Sequence, residues 1–282
     1  MNKTMNTVSQ TFNWNRFVAA LKKEVIENWR TLLFSIIAIY GILALIMILG
    51  NLVSGNTPSR PEQMLRYTVV YCVFSFSSIF FASLAFRGLK SKTGRTELLT
   101  SPSSTFEKFL VNATIYVLGF IIVFPICTQL ADLTRIAVLW PWLGSESVPG
   151  PINFLTTIHN FAFQQDFWSF EVNSWLEASL WIGLLAAPGL YFLGSILWPK
   201  LSFLKTFAAV YVIETVFSII AMICVFVFSD MKSFGLWVLD VFKSGNVMMI
   251  LAIFTAIQLI VYWPLSWYLF KRKDVVSLKW WK

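Results

Sequence analysis

The sequence predicts an all-α integral membrane protein with six transmembrane helices. Of its 282 residues 57% are hydrophobic and 13% are charged, whereas an average soluble domain has about 25% charged residues. The apolar residues form runs long enough to cross a bilayer as helices, since about 20 residues suffice, and they lack the alternation of barrel strands. The six runs are residues 31–53, 64–86, 109–131, 175–198, 206–228 and 247–270. No polar block could bury a core of its own, so residues 1–282 are predicted to form one transmembrane domain.

The segment before the first run, residues 12–30, has an amphipathic pattern. Trp14, Phe17 and Leu21 fall on one helical face, and Arg16 and Lys23 lie on the opposite face. Such a helix can lie in the membrane interface, with its aromatic face in the headgroup layer and its basic edge against anionic lipid. The alternative is an ordinary cytoplasmic helix packed on protein.

The basic residues predict the orientation of the chain in the membrane. With the N-terminus placed inside, 17 of the 22 Lys and Arg residues fall in inner segments, and only Arg60, Arg66, Arg135, Lys232 and Lys243 fall outside. This asymmetry places both termini in the cytoplasm. It also explains the formal charge of +8 without nucleic acid as a partner, because the basic residues occupy short segments between apolar runs.

The outer segment at residues 132–174 is long for a connection. It is rich in aromatic residues and is interrupted by Pro141, Pro149 and Pro151. We expect one or two short helices lying on the outer membrane surface there.

Catalytic groups are scarce in this sequence. The single histidine, His159, has no nucleophile or metal-ligating partner at a recognisable spacing, and the phosphate-binding sequence GxxxxGK[ST] is missing. We therefore predict that the chain is not an enzyme, carries no metal or cofactor of its own, and relies on another chain for any ATP that it uses.

Glu214 is the one carboxylate near the middle of a predicted span. A charged group at that depth costs on the order of 2.5 to 3.5 kcal/mol on insertion scales, and such residues usually face a bundle interior or a cavity. Two interpretations have equal weight: a structural hydrogen bond to a neighbouring helix, or a residue lining a cavity or gate.

The polar segment 87–108, between the second and third runs, has a recognisable internal plan. Ser104 and Glu107 have the S-x-x-E spacing of a capping box, and Pro102 ends any helix that comes from residues 90–99. The segment is thus predicted to contain a short helix, a sharp break and the capped start of the third span.

At this segment the chain resembles the membrane subunits, or permeases, of type 2 ATP-binding cassette exporters. Their second-loop motif E-L-L-x-x-P-x-S-x-x-E is matched by Glu97, Leu98, Leu99, Pro102 and Glu107, with Ser103 or Ser104 near the serine position. A variant typical of permeases from Bacteroidetes, L-x-L-P-x-S-x-x-E-K-F, is matched at Leu99, Pro102, Ser104, Glu107, Lys108 and Phe109. The amphipathic N-terminal helix and the six spans follow the same order of parts.

The resemblance implies a half-transporter in a bacterial inner membrane, which pairs as a homodimer or with a sister permease. Its short second-loop helix would be a coupling helix that docks on a separate ATP-binding subunit. The expected docking rim is Lys90, Lys92, Arg95 and Glu97, and the expected apolar plug is Leu98 and Leu99. Pro102 and Glu107 complete the expected partner-coupling residues. The substrate is expected to be amphipathic, because few charges lie within the spans. The alternative from another class is a membrane scaffold or accessory subunit of an envelope complex with no transport path.

Overall fold

The computed structural model describes residues 12–54, 60–100, 102–143, 150–154, 159, 174–228 and 246–273. Every regular element in these ranges is helical, and six helices are long and apolar enough to cross a membrane. The all-α class and the six candidate spans are therefore confirmed. The helices are α1 (Trp14–Ser54), α2 (Arg60–Leu84), α3 (Lys92–Thr100), α4 (Thr105–Ala113), α5 (Gly119–Leu143), α6 (Ser174–Leu197), α7 (Ser202–Phe228) and α8 (Asn246–Lys273).

The first helix does not divide at the expected boundary between residues 30 and 31. It is one uninterrupted helix of 41 residues from Trp14 to Ser54. Neither proline nor glycine occurs between Trp14 and Tyr40, so no residue in that stretch breaks the backbone hydrogen-bond pattern. The segment 12–30 is thus continuous with the first span and does not form a separate element.

The third span is longer than its apolar run and contains a π-helical turn. Helices α4 and α5 are joined by Thr114–Leu118, where the backbone N–H of Gly119 donates to the carbonyl oxygen of Thr114. The helix then continues to Leu143. The first twelve residues of the predicted outer segment, 132–143, are therefore helical and continuous with the third span. Within this part of the helix Asp132 pairs with Arg135, so the two charges compensate each other.

Helix α6 lies at the centre of the bundle and α7 at its edge. Over half of the apolar window of α6 is buried (56%), against 6% for α7. Helix α8 packs closely along α6, where a Cβ atom added at Gly189 would lie 3.2 Å from Nε1 of Trp263. The core is filled mainly by aromatic rings, such as Phe74 against Phe124 with centroids 4.9 Å apart.

The contact between α6 and α7 is tight near the turn that joins them, and α7 is exposed farther along. Gly194 of α6 lies directly against the side chain of Thr206, so a Cβ atom at this position would overlap it. The turn between the two helices includes Leu201 with a φ of 55°, a backbone region that favours glycine. From residue 211 to residue 220 every side chain of α7 is exposed.

Candidate functional site

The second loop has the internal plan that the sequence predicts. A 3₁₀ turn, Arg87–Lys90, follows α2, and the short helix α3 ends before Pro102. Ser104 is the N-cap of α4: its hydroxyl accepts from the backbone N–H of Glu107 at 3.2 Å, and its own N–H donates to Oε2 of Glu107 at 2.8 Å. The predicted capping box is confirmed in both directions. These contacts fix where the third span begins.

The expected docking residues of this loop lie on and around α3. Lys90, Lys92, Arg95 and Pro102 are exposed. The N–H of Gly94 donates to Oγ of Ser91 at 3.0 Å, which satisfies one donor in the first turn of α3. The backbone is helical at the three remaining docking residues, whose side chains lie outside the described part of the structure. Those residues are Glu97, Leu98 and Leu99.

Glu107 differs from the other docking residues because its side chain is fully buried. Besides capping α4, its Oε1 atom accepts from the backbone N–H of Asn13 at 2.7 Å and from Nη2 of Arg16 at 3.0 Å. Donors of this kind favour the ionised carboxylate. Glu107 therefore joins the start of α4 to the start of α1 and is not exposed for docking.

The same contact organises the N-terminal end of α1. Asn13 caps this helix, since its Oδ1 accepts from the backbone N–H of Asn15 at 3.0 Å. Phe12 packs against Phe106 with ring centroids 6.3 Å apart, next to the carboxylate of Glu107. The N-terminal end of α1 is thus attached to α4 by an ion pair, one hydrogen bond from the backbone N–H of Asn13 and an aromatic contact.

Residues 12–30 have one side packed on protein and one side exposed. Phe17 is buried on the protein side. Trp14, Ile26 and Trp29 are 65%, 69% and 52% exposed. The segment therefore packs on α4 with one side and leaves large apolar side chains uncovered on the other.

The comparisons with known proteins identify no relative of this chain. No family model, curated protein or solved structure matches this chain. Functional inference therefore rests on the geometry and on the second-loop motif.

Glu214 lies on the exposed side of α7. Together with Tyr211, Thr215 and Ser218 it forms a polar stripe at helical spacing, and Met222 extends the stripe by one turn. The shallow groove along this stripe, about 330 Å³, is lined by residues of α7 alone. The first interpretation of Glu214 was a structural hydrogen bond to a neighbouring helix. No such bond is seen among the described residues.

A second buried charged cluster, near the outer end of α5, was missed at the sequence level. Asp132 and Arg135 are both fully buried and form an ion pair of 2.7 Å. Asp132 also accepts from the backbone N–H of Ile152 at 2.6 Å, and Nε2 of Gln129 donates to the carbonyl oxygen of Ile152 at 2.7 Å. These bonds attach residues 150–154 to the third span. The D-x-x-R spacing within an apolar stretch was the available signal.

Two residues that were counted as outer loop charges are buried. Arg66 is 7% exposed and Arg135 is completely covered. On the same side, Nδ1 of His159 lies 3.3 Å from Oε2 of Glu177. No cluster of three or more potential metal ligands occurs among the described residues.

Proposed function

We propose that the chain is the transmembrane subunit of an ATP-driven exporter, coupled through its second loop to a separate ATP-binding subunit. The observation that carries the proposal is the construction of that loop. A short helix, α3, whose basic residues Lys92 and Arg95 are exposed, lies between two candidate spans. The span that follows it is fixed by the capping box and by the buried carboxylate of Glu107. A force applied to α3 would pass along the chain into this fixed span.

In the proposed mechanism the partner binds α3 through its basic rim, Lys90, Lys92 and Arg95. Glu97 completes the rim, and Leu98 and Leu99 supply the apolar plug. Closure of two ATP-binding subunits would pull the two loops together. The displacement would pass across the Pro102 break into α4, and through Glu107 and Arg16 into α1, so that two spans of each subunit move as a unit.

The proposed transport path lies between two copies, or between the chain and a sister permease. The core of the single chain is closely packed and largely aromatic, whereas the polar stripe of Tyr211, Glu214, Thr215 and Ser218 faces outward. In lipid an ionised carboxylate would cost on the order of 2.5 to 3.5 kcal/mol, so a second chain or water is expected to cover it. A path of mixed polarity suits an amphipathic substrate.

The first test addresses the ATP-binding partner. Affinity-tagged protein is solubilised from its native bacterial inner membrane, and copurifying ATPase subunits are identified and quantified. Lys92→Glu and Leu98→Asp are expected to abolish copurification, whereas Lys22→Glu, a matched change at an exposed lysine of α1, is expected to leave it intact. Failure to recover any ATPase subunit with the unaltered chain would refute the proposal.

A non-transporting scaffold is the second candidate, and the closely packed aromatic core of the described bundle favours it. The two candidates differ in whether the polar stripe of α7 contacts water. We would introduce Ser218→Cys or Ile220→Cys into a chain without its native cysteines and measure reaction with a membrane-impermeant thiol reagent. A transport path predicts that position 218 reacts faster than position 220. Equal, negligible reaction at both positions would favour the scaffold.

A further inference from the structure

The third candidate span contains a π-helical turn, Thr114–Leu118, within an otherwise α-helical stretch. Here the N–H of Gly119 donates to the carbonyl oxygen of Thr114, five residues back, whereas an α-helix uses a spacing of four. A Cβ atom at Gly119 would lie 3.3 Å from that oxygen, so the lack of a side chain leaves room for the wider turn. Such turns are rare and frequently occur at functional sites.

The helix is also weakened on the outer side of this turn. Pro125 lies inside α5, and because proline has no N–H, it cannot donate the helical hydrogen bond to the carbonyl oxygen of Ile121. Residues 114–125 therefore contain two departures from α-helical hydrogen bonding. Both are known causes of bending in helices.

The two parts of the span on either side of the turn pack on different neighbours. In α4, Glu107 is bonded to the start of α1, and Phe109 packs on Trp267 of α8 with ring centroids 5.5 Å apart. In α5, the buried ring of Phe124 packs on Phe74 of α2 at 4.9 Å. The turn thus connects two helical parts that are held from different sides.

A cavity next to the turn provides space for movement of α4. It has a volume of about 340 Å³ and lies where α1, the second loop and α4 meet, with Val111, Asn112 and Tyr116 lining it from the third span. Protein interiors contain few voids larger than a water molecule, so close packing usually resists such movements. A tilt of α4 towards this cavity would not compress the aromatic core.

We propose that Thr114–Leu118 is a hinge at which α4 tilts against α5. The second loop moves with α4, because the capping box of Ser104 and Glu107 fixes the start of this helix. The start of α1 moves with it as well, through the bonds of Glu107 to Asn13 and Arg16. The hinge is a property of the single chain and does not depend on the proposed ATP-binding partner.

The first test is deletion of Leu118, whose side chain is 53% exposed. One residue fewer converts the spacing of five into the α-helical spacing of four, so α4 and α5 keep their neighbours while the hinge is lost. Deletion of Leu130, which is 50% exposed and lies in α5, is the matched control. It rotates one part of the helix by about 100° relative to the other, which takes Phe124 or Asp132 out of its contacts.

Stability is compared by titrating the purified full-length chain in mixed micelles with sodium dodecyl sulfate. Deletion of Leu118 is expected to leave the unfolding midpoint unchanged, and deletion of Leu130 is expected to lower it. If deletion of Leu118 lowers the midpoint as much as deletion of Leu130, or prevents folding, the turn is not a removable hinge and the proposal is refuted.

The tilt is measured by electron–electron double resonance between spin labels on opposite sides of the hinge. The labels are attached at Lys92→Cys in the second loop and Ile126→Cys in α5, both exposed positions, in a chain without its native cysteines. Deletion of Leu118 is expected to narrow the distribution of distances between them. A control pair, Lys92→Cys with the exposed Lys22→Cys of α1, lies on one side of the hinge and is expected to keep its width.

Two outcomes of the distance measurement would contradict the hinge. Equal widths for the Lys92 and Ile126 pair with and without Leu118 would show that the turn is rigid. Equal narrowing of both pairs would show that the deletion stiffens the second loop and not the span. Narrowing of the first pair alone, at an unchanged unfolding midpoint, supports the hinge.

Discussion

The contact between Glu107 and the start of α1 leads to a quantitative prediction. Glu107→Ala removes the acceptor for the backbone N–H groups of Asn13 and Ser104, and for the guanidinium of Arg16. Each donor left without a partner in a partly buried site costs about 1 kcal/mol. Arg16 contributes less, about 0.5 to 1 kcal/mol, because its side chain is 36% exposed and can be solvated.

The sum predicts that Glu107→Ala lowers the free energy of unfolding by about 3 kcal/mol. Glu107→Gln is expected to cost about 1 to 2 kcal/mol, since the amide keeps one acceptor oxygen but places a donor against the N–H of Ser104. Arg16→Ala is expected to cost about 1 kcal/mol. The order of the three variants follows from the number of donors that each leaves unsatisfied.

The assay is equilibrium unfolding in mixed micelles with an increasing fraction of sodium dodecyl sulfate, monitored by tryptophan fluorescence. A double-mutant cycle between Arg16→Ala and Glu107→Ala should give a coupling free energy of about 0.5 to 1 kcal/mol, and Lys22→Ala serves as the control. If Glu107→Ala costs less than about 0.5 kcal/mol, the value expected of an ordinary surface change, the contact does not hold α1 to α4. Strict additivity would likewise refute the ion pair.

Two further predictions concern the packing of α6 and α7 and can be checked by the same assay. Gly194→Ala should destabilise the protein by about 1 to 3 kcal/mol, because its Cβ atom would overlap Thr206. Gly183→Ala in the same helix is the control and should be neutral or stabilising, because no atom lies within 4 Å of the added Cβ. A smaller loss of stability at position 194 than at position 183 would refute the close approach. Leu201→Gly should stabilise the protein by about 1 kcal/mol, because a non-glycine residue with positive φ is strained. Leu204→Gly, inside α7, should destabilise the protein by about 1 kcal/mol, because glycine is unfavourable within a helix. Destabilisation at both positions would contradict the turn geometry.

The elements that sequence could predict are those determined by local patterns. Each apolar run coincides with helical structure to within two residues at its end, because about 20 apolar residues in lipid have few alternatives to a helix. The capping box was equally predictable, since Ser104 and Glu107 satisfy each other's backbone across three residues. The helices continue across the predicted boundaries at residues 30–31 and 131–132, because a polar residue suggested an end there but nothing in the backbone required one.

Local sequence patterns could not predict contacts between residues that are distant in the sequence. Arg16 and Glu107 are 91 residues apart, and each has a sufficient local explanation: one as part of the basic edge of an amphipathic helix, the other as part of a capping box. Asp132 and Arg135 were assigned to a loop because charges are uncommon in spans. Their pairing is local, three residues apart in one helix, but the bond from Ile152 to Asp132 depends on how the chain returns to α5.

The polar stripe of α7 shows why hydropathy alone does not distinguish a helix that faces lipid from one that faces protein. All residues from 211 to 220 are exposed in the single chain, and most of them are apolar enough for either environment. Tyr211, Glu214, Thr215 and Ser218, however, recur at intervals of three and four residues and so share one face. Scattered polar residues could be accommodated one at a time by a lipid-facing helix. A continuous polar face that includes a carboxylate has no favourable partner in hydrocarbon, so in the membrane this side of α7 is expected to meet water or another protein chain.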